Sequence, residues 1–197
     1  MAILSIFGVL HLSAMNILYA ATYTWNYALN NGSWWLGHSW SLCIEEQFYL
    51  LWPFLLARMS LDSALRFCSI VLVVSPLVRV LNYYLIPDMR PQIPIMFHTR
   101  ADVSLFGCLG ALVYRDSRFQ AVLRRLGTTA LLVAIGALFI VDPLLSDTYR
   151  GSYLLLIGFS IEGLSGLILI LWTTQHADSL LGRILNSRTL TEIGILS

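Results

Sequence analysis

Six apolar runs constrain this chain more than any other feature, because a helix of roughly 20 apolar residues crosses the hydrocarbon core of a bilayer. We place them at residues 2–22, 39–58, 65–86, 96–114, 126–142 and 152–173. Only 12% of the 197 residues are charged, whereas a soluble domain has about 25%. The sequence therefore predicts an all-α polytopic transmembrane helix bundle, with residues 1–197 forming a single domain.

The distribution of arginine predicts how these spans are oriented. The chain has 12 basic residues, all of them arginine. Arg90, Arg100 and Arg150 lie on one side of the predicted spans, and Arg79 lies inside a span. The others lie at or near alternate loops on the opposite side, at Arg58, Arg66, Arg115, Arg118, Arg124, Arg125, Arg183 and Arg188. Because arginine accumulates on the cytoplasmic side of membrane proteins, residues 23–38 are predicted to be extracytoplasmic.

Charge and cysteine content exclude other kinds of partner and site. The formal net charge is +1 and no basic patch interleaved with aromatic residues occurs, so nucleic acid is not an expected partner. Cys43, Cys68 and Cys108 lie in apolar runs without the spacing of metal ligands. We expect free buried thiols and no metal site. The expected partner of most of the surface is the lipid bilayer.

Two adjacent carboxylates, Glu45 and Glu46, lie inside the second apolar run. Ionisable side chains are costly within a bilayer and often mark functional sites. At about 100° per residue, a helix would align one polar stripe, consisting of His38, Ser41, Glu45, Tyr49 and Trp52. We expect this stripe to face a protein interior or a water-filled cavity, with Glu46 pointing about 100° away.

Arg79 provides a second interpretation of these carboxylates. Helix rise places Glu45 and Arg79 at the same depth, roughly 9–11 Å from the outer membrane face. Their helices are joined by a short turn, so they are expected to be antiparallel neighbours. Glu45 and Glu46 could therefore act in chemistry, or they could pair with Arg79 as a brace between helices. In either case we expect the Glu45 carboxylate to contact Arg79 or Arg100.

Residues 99–102 begin the fourth apolar run with the pattern Thr-Arg-Ala-Asp. Thr99 and Asp102 have the spacing of a capping box. Arg100, however, is unfavourable to the helix dipole in a first turn, so its charge is expected to have another purpose. That purpose is to bind a substrate phosphate or carboxylate, or to pair with Glu45 and Glu46. Glu162, in the middle of the sixth run, is expected to be protonated, paired or lining a cavity.

Residues 37–53, from Gly37 through the Glu-Glu-Gln-Phe-Tyr segment to Pro53, resemble the signature of the acyltransferase-3 family of bacterial membrane O-acyltransferases. Residues 99–111 are similar to an arginine–aspartate segment of that family, and residues 185–197 are similar to the approach to a late family helix. The resemblance extends over essentially the whole chain. Because the family fold has about ten spans of bilayer length, we expect this chain to be a fragment containing the middle six.

The resemblance implies a multi-pass enzyme of the bacterial cell (inner) membrane. Such an enzyme transfers an acyl group from acyl-CoA, acetyl-CoA in the family, to a hydroxyl of a cell-surface or exported carbohydrate. Acyl-CoA would be a donor substrate, and no cofactor would be bound. The arginines of residues 115–125 could hold coenzyme A phosphates, although topology alone explains them. No oligomeric state is indicated.

Acyl transfer needs a base near the acceptor hydroxyl and a donor for the developing oxyanion. A histidine is the usual base, with a carboxylate that orients it. The catalytic candidates are therefore Glu45, His38 and Ser41. The substrate-binding candidates are Arg100, Asp102, Glu46, Arg79 and Tyr49.

One family feature is missing from this sequence. The family's first helix has a basic residue followed eleven positions later by a histidine, and none of His11, His38, His98 and His176 has such a partner. The chain alone is therefore expected to be inactive. An alternative is a transporter or flippase-like protein in which Glu45, Arg79 and Glu162 form a pathway, although no repeated half is visible. A non-catalytic scaffold would be favoured if no cavity reached Glu45.

Overall fold

The computed structural model describes residues 13–28, 36–123, 125, 127–149 and 152–196. We label its helices α1 Ala14–Ala21, α2 Ser39–Leu56, α3 Leu61–Leu85, α4 Phe97–Arg115, α5 Thr128–Thr148, α6 Leu154–Gln175, α7 Leu180–Leu185 and α8 Arg188–Leu196. One further turn of helix, Gln120–Leu123, follows α4. The described residues contain no strand, and the predicted all-α class is confirmed.

Three helices, α3, α5 and α6, are long and apolar enough to cross a membrane. They correspond to the predicted runs 65–86, 126–142 and 152–173. Of the helices with candidate site residues, α3 with Arg79 is among these three, whereas α2 and α4 are not. Residues 2–12 of the first predicted span lie outside the described residues. The predicted number of six spans is therefore not confirmed.

The ends of α3 follow from its sequence. The Ser60 hydroxyl accepts a hydrogen bond from the Ser63 backbone N–H, which satisfies one of the free donors of the first turn. Asp62 in that turn complements the positive end of the helix dipole. At the other end, Pro87 follows the last residues of the helix, and the residue before a proline disfavours helical geometry.

The predicted capping box at the start of α4 is wrong. The helix begins at Phe97, two residues before Thr99, and its N-cap residue Met96 provides no side-chain cap. The Thr99 hydroxyl instead donates to the carbonyl oxygens of Ile93 (2.5 Å) and Met96 (2.9 Å). Asp102 is directed towards another helix, because a buried arginine attracts its carboxylate more strongly than a backbone N–H does.

Four helices form the packed part of the structure. α4 lies at the centre and packs against α3 and α6, and α5 packs against α6. Cys68 packs with Leu105, whereas Arg79 contacts Thr99, so α3 and α4 are antiparallel. Asp102 contacts Ser160 near the start of α6. α4 and α6 run in the same direction, because Gly110 lies against Leu167 about two turns further along both helices.

α2 meets this group through Trp52 near its end and lies beside Arg100 of α4 through Trp40 near its start. Trp52 of α2 forms a buried cluster with Cys68 of α3 and Leu105 of α4. An apolar groove of about 340 Å³ lies between the second half of α2, α3 and the start of α4, with Phe48, Leu55 and Val74 among its lining residues. α2 and α3 therefore contact each other at Trp52 and Phe67, and Glu45 does not line the groove.

An ion-pair network links the start of α3 to the loop after α4. Arg118 Nη2 lies 2.6 Å from Asp62 Oδ1 and 2.7 Å from Asp116 Oδ2. The hydrogen bond from the Arg118 side chain holds the pKa of Asp116 below its ordinary value. The Arg118–Asp62 pair is exposed and contributes little to stability, whereas the buried Asp116 carboxylate fixes the direction of the loop after α4.

The predicted orientation can be tested at the two ends of α4, which is about 28 Å long. Asp88 and Ser117 are exposed in the loops before and after this helix. In a variant without Cys43, Cys68 and Cys108, a membrane-impermeant thiol reagent should label Asp88→Cys in intact cells. Ser117→Cys should react only after permeabilisation. Labelling of both cysteines from the same side would contradict a membrane-spanning α4.

Candidate functional site

A fully buried ion pair joins α3 and α4. Arg79 Nη1 lies 2.7 Å from Asp102 Oδ1, and Arg79 Nη2 donates to Asp102 Oδ2 at 2.8 Å. Both side chains have 0% exposure. This is the bidentate geometry in which a planar guanidinium binds a carboxylate most strongly. It satisfies the requirement that a buried charge has an opposite charge beside it.

Serines and a backbone carbonyl complete the surroundings of this pair. Arg79 Nη1 also donates to the Thr99 carbonyl oxygen (2.5 Å), and Nη2 donates to Ser160 Oγ of α6 (2.6 Å). The hydroxyls of Ser160 and Ser75 donate to the Asp102 carboxylate at 2.6 and 3.3 Å. Arg79 Nε has no hydrogen-bond partner among the described residues. The network therefore ties α3, α4 and α6 together at one buried point.

The expected contact between Glu45 and an arginine is wrong. Glu45 is exposed and forms no ion pair with any residue that the structure describes, and Arg79 pairs with Asp102 instead. The physical reason is the position of α4, which supplies a carboxylate directly to α3, whereas Glu45 of α2 does not line the groove between α2 and α3. The proposed brace between Glu45 and Arg79 is therefore absent.

Arg79 and Asp102 were also predicted to bind substrate. In the structure neither side chain has exposed surface, and each is occupied by the other. A ligand could reach them only by opening the contact between α3, α4 and α6. Their geometry is that of a structural ion pair.

Arg100 has the opposite environment, although it is only two residues from Asp102. Its guanidinium carbon lies 4.3 Å from the centre of the Phe159 ring and 5.4 Å from that of Trp40. Nη1 donates to the Pro94 carbonyl oxygen at 3.2 Å. Within the described part of the chain, no carboxylate forms an ion pair with Arg100. The aromatic rings and the carbonyl hold its orientation, and Glu162 and Asp102 attract its charge without forming an ion pair with it.

A polar cavity of about 180 Å³ lies between α2 and α4. It brings together three predicted site residues, Ser41 and Glu45 of α2 and Arg100 of α4. Its other lining residues are Trp40, Ile44, Val103 and Ser104. A cavity thus reaches Glu45, which is the observation that disfavours a purely structural scaffold.

The remaining predicted residues lie outside this cavity. His38 is the exposed N-cap residue of α2, and its carbonyl oxygen accepts a hydrogen bond from Ser41 Oγ at 3.2 Å. Glu46 is half-buried on another face of α2, and Tyr49 is 62% exposed. The predicted stripe does not face one environment, because Trp52 at its end is buried against α3 and α4.

Sequence reasoning missed several residues around the site. The sequence analysis gives no role to Trp40 or Ser104, although both line the cavity. Phe159 and Ser160, adjacent in α6, contact Arg100 and Arg79 respectively. No local signal identifies Phe159, because an aromatic residue in an apolar run is normally a packing residue. Ser160, two residues before Glu162, was the available indication that this end of α6 faces polar groups.

Glu162 forms no ion pair with a described residue and is half-buried. Near it, between α5 and α6, the Asp142 Oδ1 and Tyr153 hydroxyl atoms are buried without hydrogen-bond partners. Both helices contain a π-helical turn here, at Ala137–Val141 and Leu154–Gly158. The expectation that Glu162 is protonated, paired or lining a cavity remains a prediction.

Comparison with known proteins gives relatives that are named as O-acetyltransferases. Over 82% of its length the chain is 32% identical to the peptidoglycan O-acetyltransferase OatA of Listeria monocytogenes. Over 81% of its length it is 28% identical to the O-acetyltransferase OatA of Staphylococcus aureus. The chain spans 27% of the length of each of these relatives. No family model and no solved structure matches the chain.

The role of the buried ion pair can be tested by a double-mutant cycle. Arg79→Met or Asp102→Leu alone leaves one buried charge without its partner, and each should lower the free energy of unfolding by about 3–5 kcal/mol. The double variant should lose much less than the sum, because it leaves neither charge. Unfolding in mixed detergent micelles measures these differences. Glu45→Gln is the control and should change stability by less than about 0.5 kcal/mol, since Glu45 is exposed and unpaired. Additive losses would contradict a direct interaction.

Proposed function

We propose that this chain is part of a membrane O-acetyltransferase and that the cavity of Ser41, Glu45 and Arg100 belongs to its acyl-transfer site. The observation that supports this most is the convergence of a carboxylate, a hydroxyl and an unpaired arginine on one cavity. These residues come from the two segments that resemble acyltransferase-3 signatures. Relatives named as O-acetyltransferases support the same activity class.

Arg100 is the group we assign to the developing negative charge. When a hydroxyl attacks an acyl carbonyl, the carbonyl oxygen becomes an oxyanion, and preorganised donors at that position lower the barrier. Arg100 is already oriented by Phe159, Trp40 and Pro94 before any substrate binds. The guanidinium therefore needs little reorientation when the oxyanion forms. A phosphate or carboxylate of the substrate is an alternative anion for the same guanidinium.

Glu45 is the group we assign to the proton. As the acceptor oxygen forms its bond to the acyl carbon, the hydroxyl proton must leave, and the bond from that carbon to its leaving group breaks. A carboxylate in the same cavity can take this proton, directly or through a base that it orients, and return it to the leaving group. Ser41 is placed to position the acceptor by hydrogen bonding.

The substrates follow from the resemblance and from the relatives. We propose acyl-CoA, most simply acetyl-CoA, as the donor, and a hydroxyl of a cell-surface carbohydrate as the acceptor. The Listeria relative is named for peptidoglycan, and we propose an acceptor of that class here. We place the protein in the bacterial inner membrane, as a multi-pass protein with the acceptor reached from the extracytoplasmic side.

The transporter interpretation is not favoured. It required Glu45, Arg79 and Glu162 to form one pathway for a proton or substrate. Arg79 is instead enclosed with Asp102 and has no exposed surface. Arginine keeps its proton in proteins, and a guanidinium without exposed surface offers no contact to a substrate.

The proposal predicts that Glu45→Gln abolishes most activity without unfolding the protein. The substitution keeps the size of the side chain and removes the charge. In the longer protein that contains this chain, O-acetyl transfer should fall by roughly 10²–10⁴-fold, the usual scale of acid–base assistance. Transfer to a carbohydrate acceptor measures activity, and the yield of membrane-inserted protein measures folding.

Glu192→Gln is the matched control, because Glu192 lies in α8 and pairs only with the exposed Arg188. It should retain full activity. A Glu45→Gln variant that is well expressed and fully active would exclude Glu45 from proton transfer. Equal losses of activity in Glu45→Gln and Glu192→Gln would show that removal of any glutamate charge lowers transfer, and that the loss is not specific to the cavity.

A further inference from the structure

A third cavity, of about 320 Å³, lies between α4 and α6 towards the Arg115 end of α4. Its volume falls in the range of about 300–1,000 Å³ that is usual for small-molecule pockets. Gly107 and Ala111 of α4 form one side, and Leu167 and Ile170 of α6 form the other. The walls are almost entirely apolar, so a ligand here would be a hydrocarbon chain rather than a sugar.

The two glycines of α4 in this cavity have different roles. A Cβ atom at Gly110 would collide with Leu167 Cδ1, so Gly110 lies at the closest approach of α4 and α6 and a larger residue would displace that side chain. A Cβ atom at Gly107 would meet no atom within 4 Å. Gly107 therefore does not serve helix packing, and the missing side chain leaves open space that belongs to the cavity.

Arg115 supplies a positive charge at the mouth of the cavity. It is the last residue of α4, is exposed, and forms no ion pair or hydrogen bond with a described residue. Arg118, three residues later, is occupied by Asp62 and Asp116. The groove between α2, α3 and α4 is of similar size but has no charged lining residue. Among the described residues, the cavity between α4 and α6 thus combines apolar walls with a cation that has no ion-pair partner.

We propose that this cavity binds one acyl chain of an anionic phospholipid, with the phosphate group on Arg115. The arginine distribution predicts that this end of α4 faces the cytoplasmic leaflet, where anionic lipids are concentrated and basic pockets between helices bind their headgroups. The open space beside Gly107 accommodates the lipid acyl chain, and Arg115 favours a negatively charged headgroup. This site is separate from the cavity of Glu45 and Arg100, and it does not depend on the proposed acyl transfer.

The test uses the intact protein that contains this chain, purified and incorporated into nanodiscs of phosphatidylcholine with graded amounts of phosphatidylglycerol. Native mass spectrometry of released protein counts the bound lipids and identifies their headgroups. The wild type should retain one phosphatidylglycerol in preference to phosphatidylcholine. Arg115→Gln should reduce this preference about fivefold, the effect expected for one basic residue at a membrane surface.

Gly107→Leu should remove the bound lipid altogether, because the new side chain would fill the open space beside residue 107, where a Cβ atom meets nothing within 4 Å. Leucine also favours a helix more than glycine does, so α4 should not be weakened. Arg183→Gln is the matched control, since Arg183 is exposed in α7 and does not line the cavity. It should leave lipid retention unchanged.

Two results would overturn the proposal. One is equal retention of phosphatidylglycerol by the wild type, Gly107→Leu and Arg115→Gln. The other is that coenzyme A, titrated in detergent without added lipid, binds the wild type and loses affinity in both variants. That second result would make the cavity a donor site.

Discussion

The buried ion pair between Arg79 and Asp102 is the interaction on which the rest of the structure depends. A lone arginine in an apolar helix would carry a large desolvation cost, and the bidentate carboxylate offsets it. Ser160 extends the same network to α6, so one polar cluster fixes three helices relative to one another. Apolar packing in a lipid environment is not specific enough to fix their register by itself, because lipid tails are as apolar as the helix surfaces.

This pairing also determines which charges remain available at the candidate site. Asp102 and Arg100 are separated by only one residue of α4, and they therefore point in different directions from the helix axis. With Asp102 directed to Arg79, Arg100 is directed towards α2, where it meets the cavity of Ser41 and Glu45. The structural pair and the candidate catalytic group are thus opposite faces of one short segment of α4.

The sequence predicted the class of fold and the segments that form the candidate site. It did not predict which charged side chains pair with each other. Helical periodicity and hydropathy identify α3, α5 and α6, and the cost of buried charge identifies Glu45 and Arg79. Pairing Glu45 with Arg79 assumed that helices joined by a short turn stay in contact along their length. In the structure Glu45 and Arg79 are not paired. The carboxylate beside Arg79 is that of Asp102 in α4, a residue whose spacing from Thr99 suggested a helix cap. Which charged residues pair depends on how helices from distant segments pack, and this packing cannot be read from the periodicity of the sequence.

The central claim, that acyl transfer occurs in the cavity between α2 and α4, is tested most directly by substrate protection. Ser104 lines this cavity, and Tyr49 of α2 lies outside it with 62% exposure. In the intact protein without its native cysteines, Ser104→Cys should be modified by a small thiol reagent, and the modification should abolish transfer. Saturating donor or acceptor should slow that reaction at least tenfold and leave Tyr49→Cys unaffected. Complete modification of Ser104→Cys with activity retained, or no protection by either substrate, would contradict the claim.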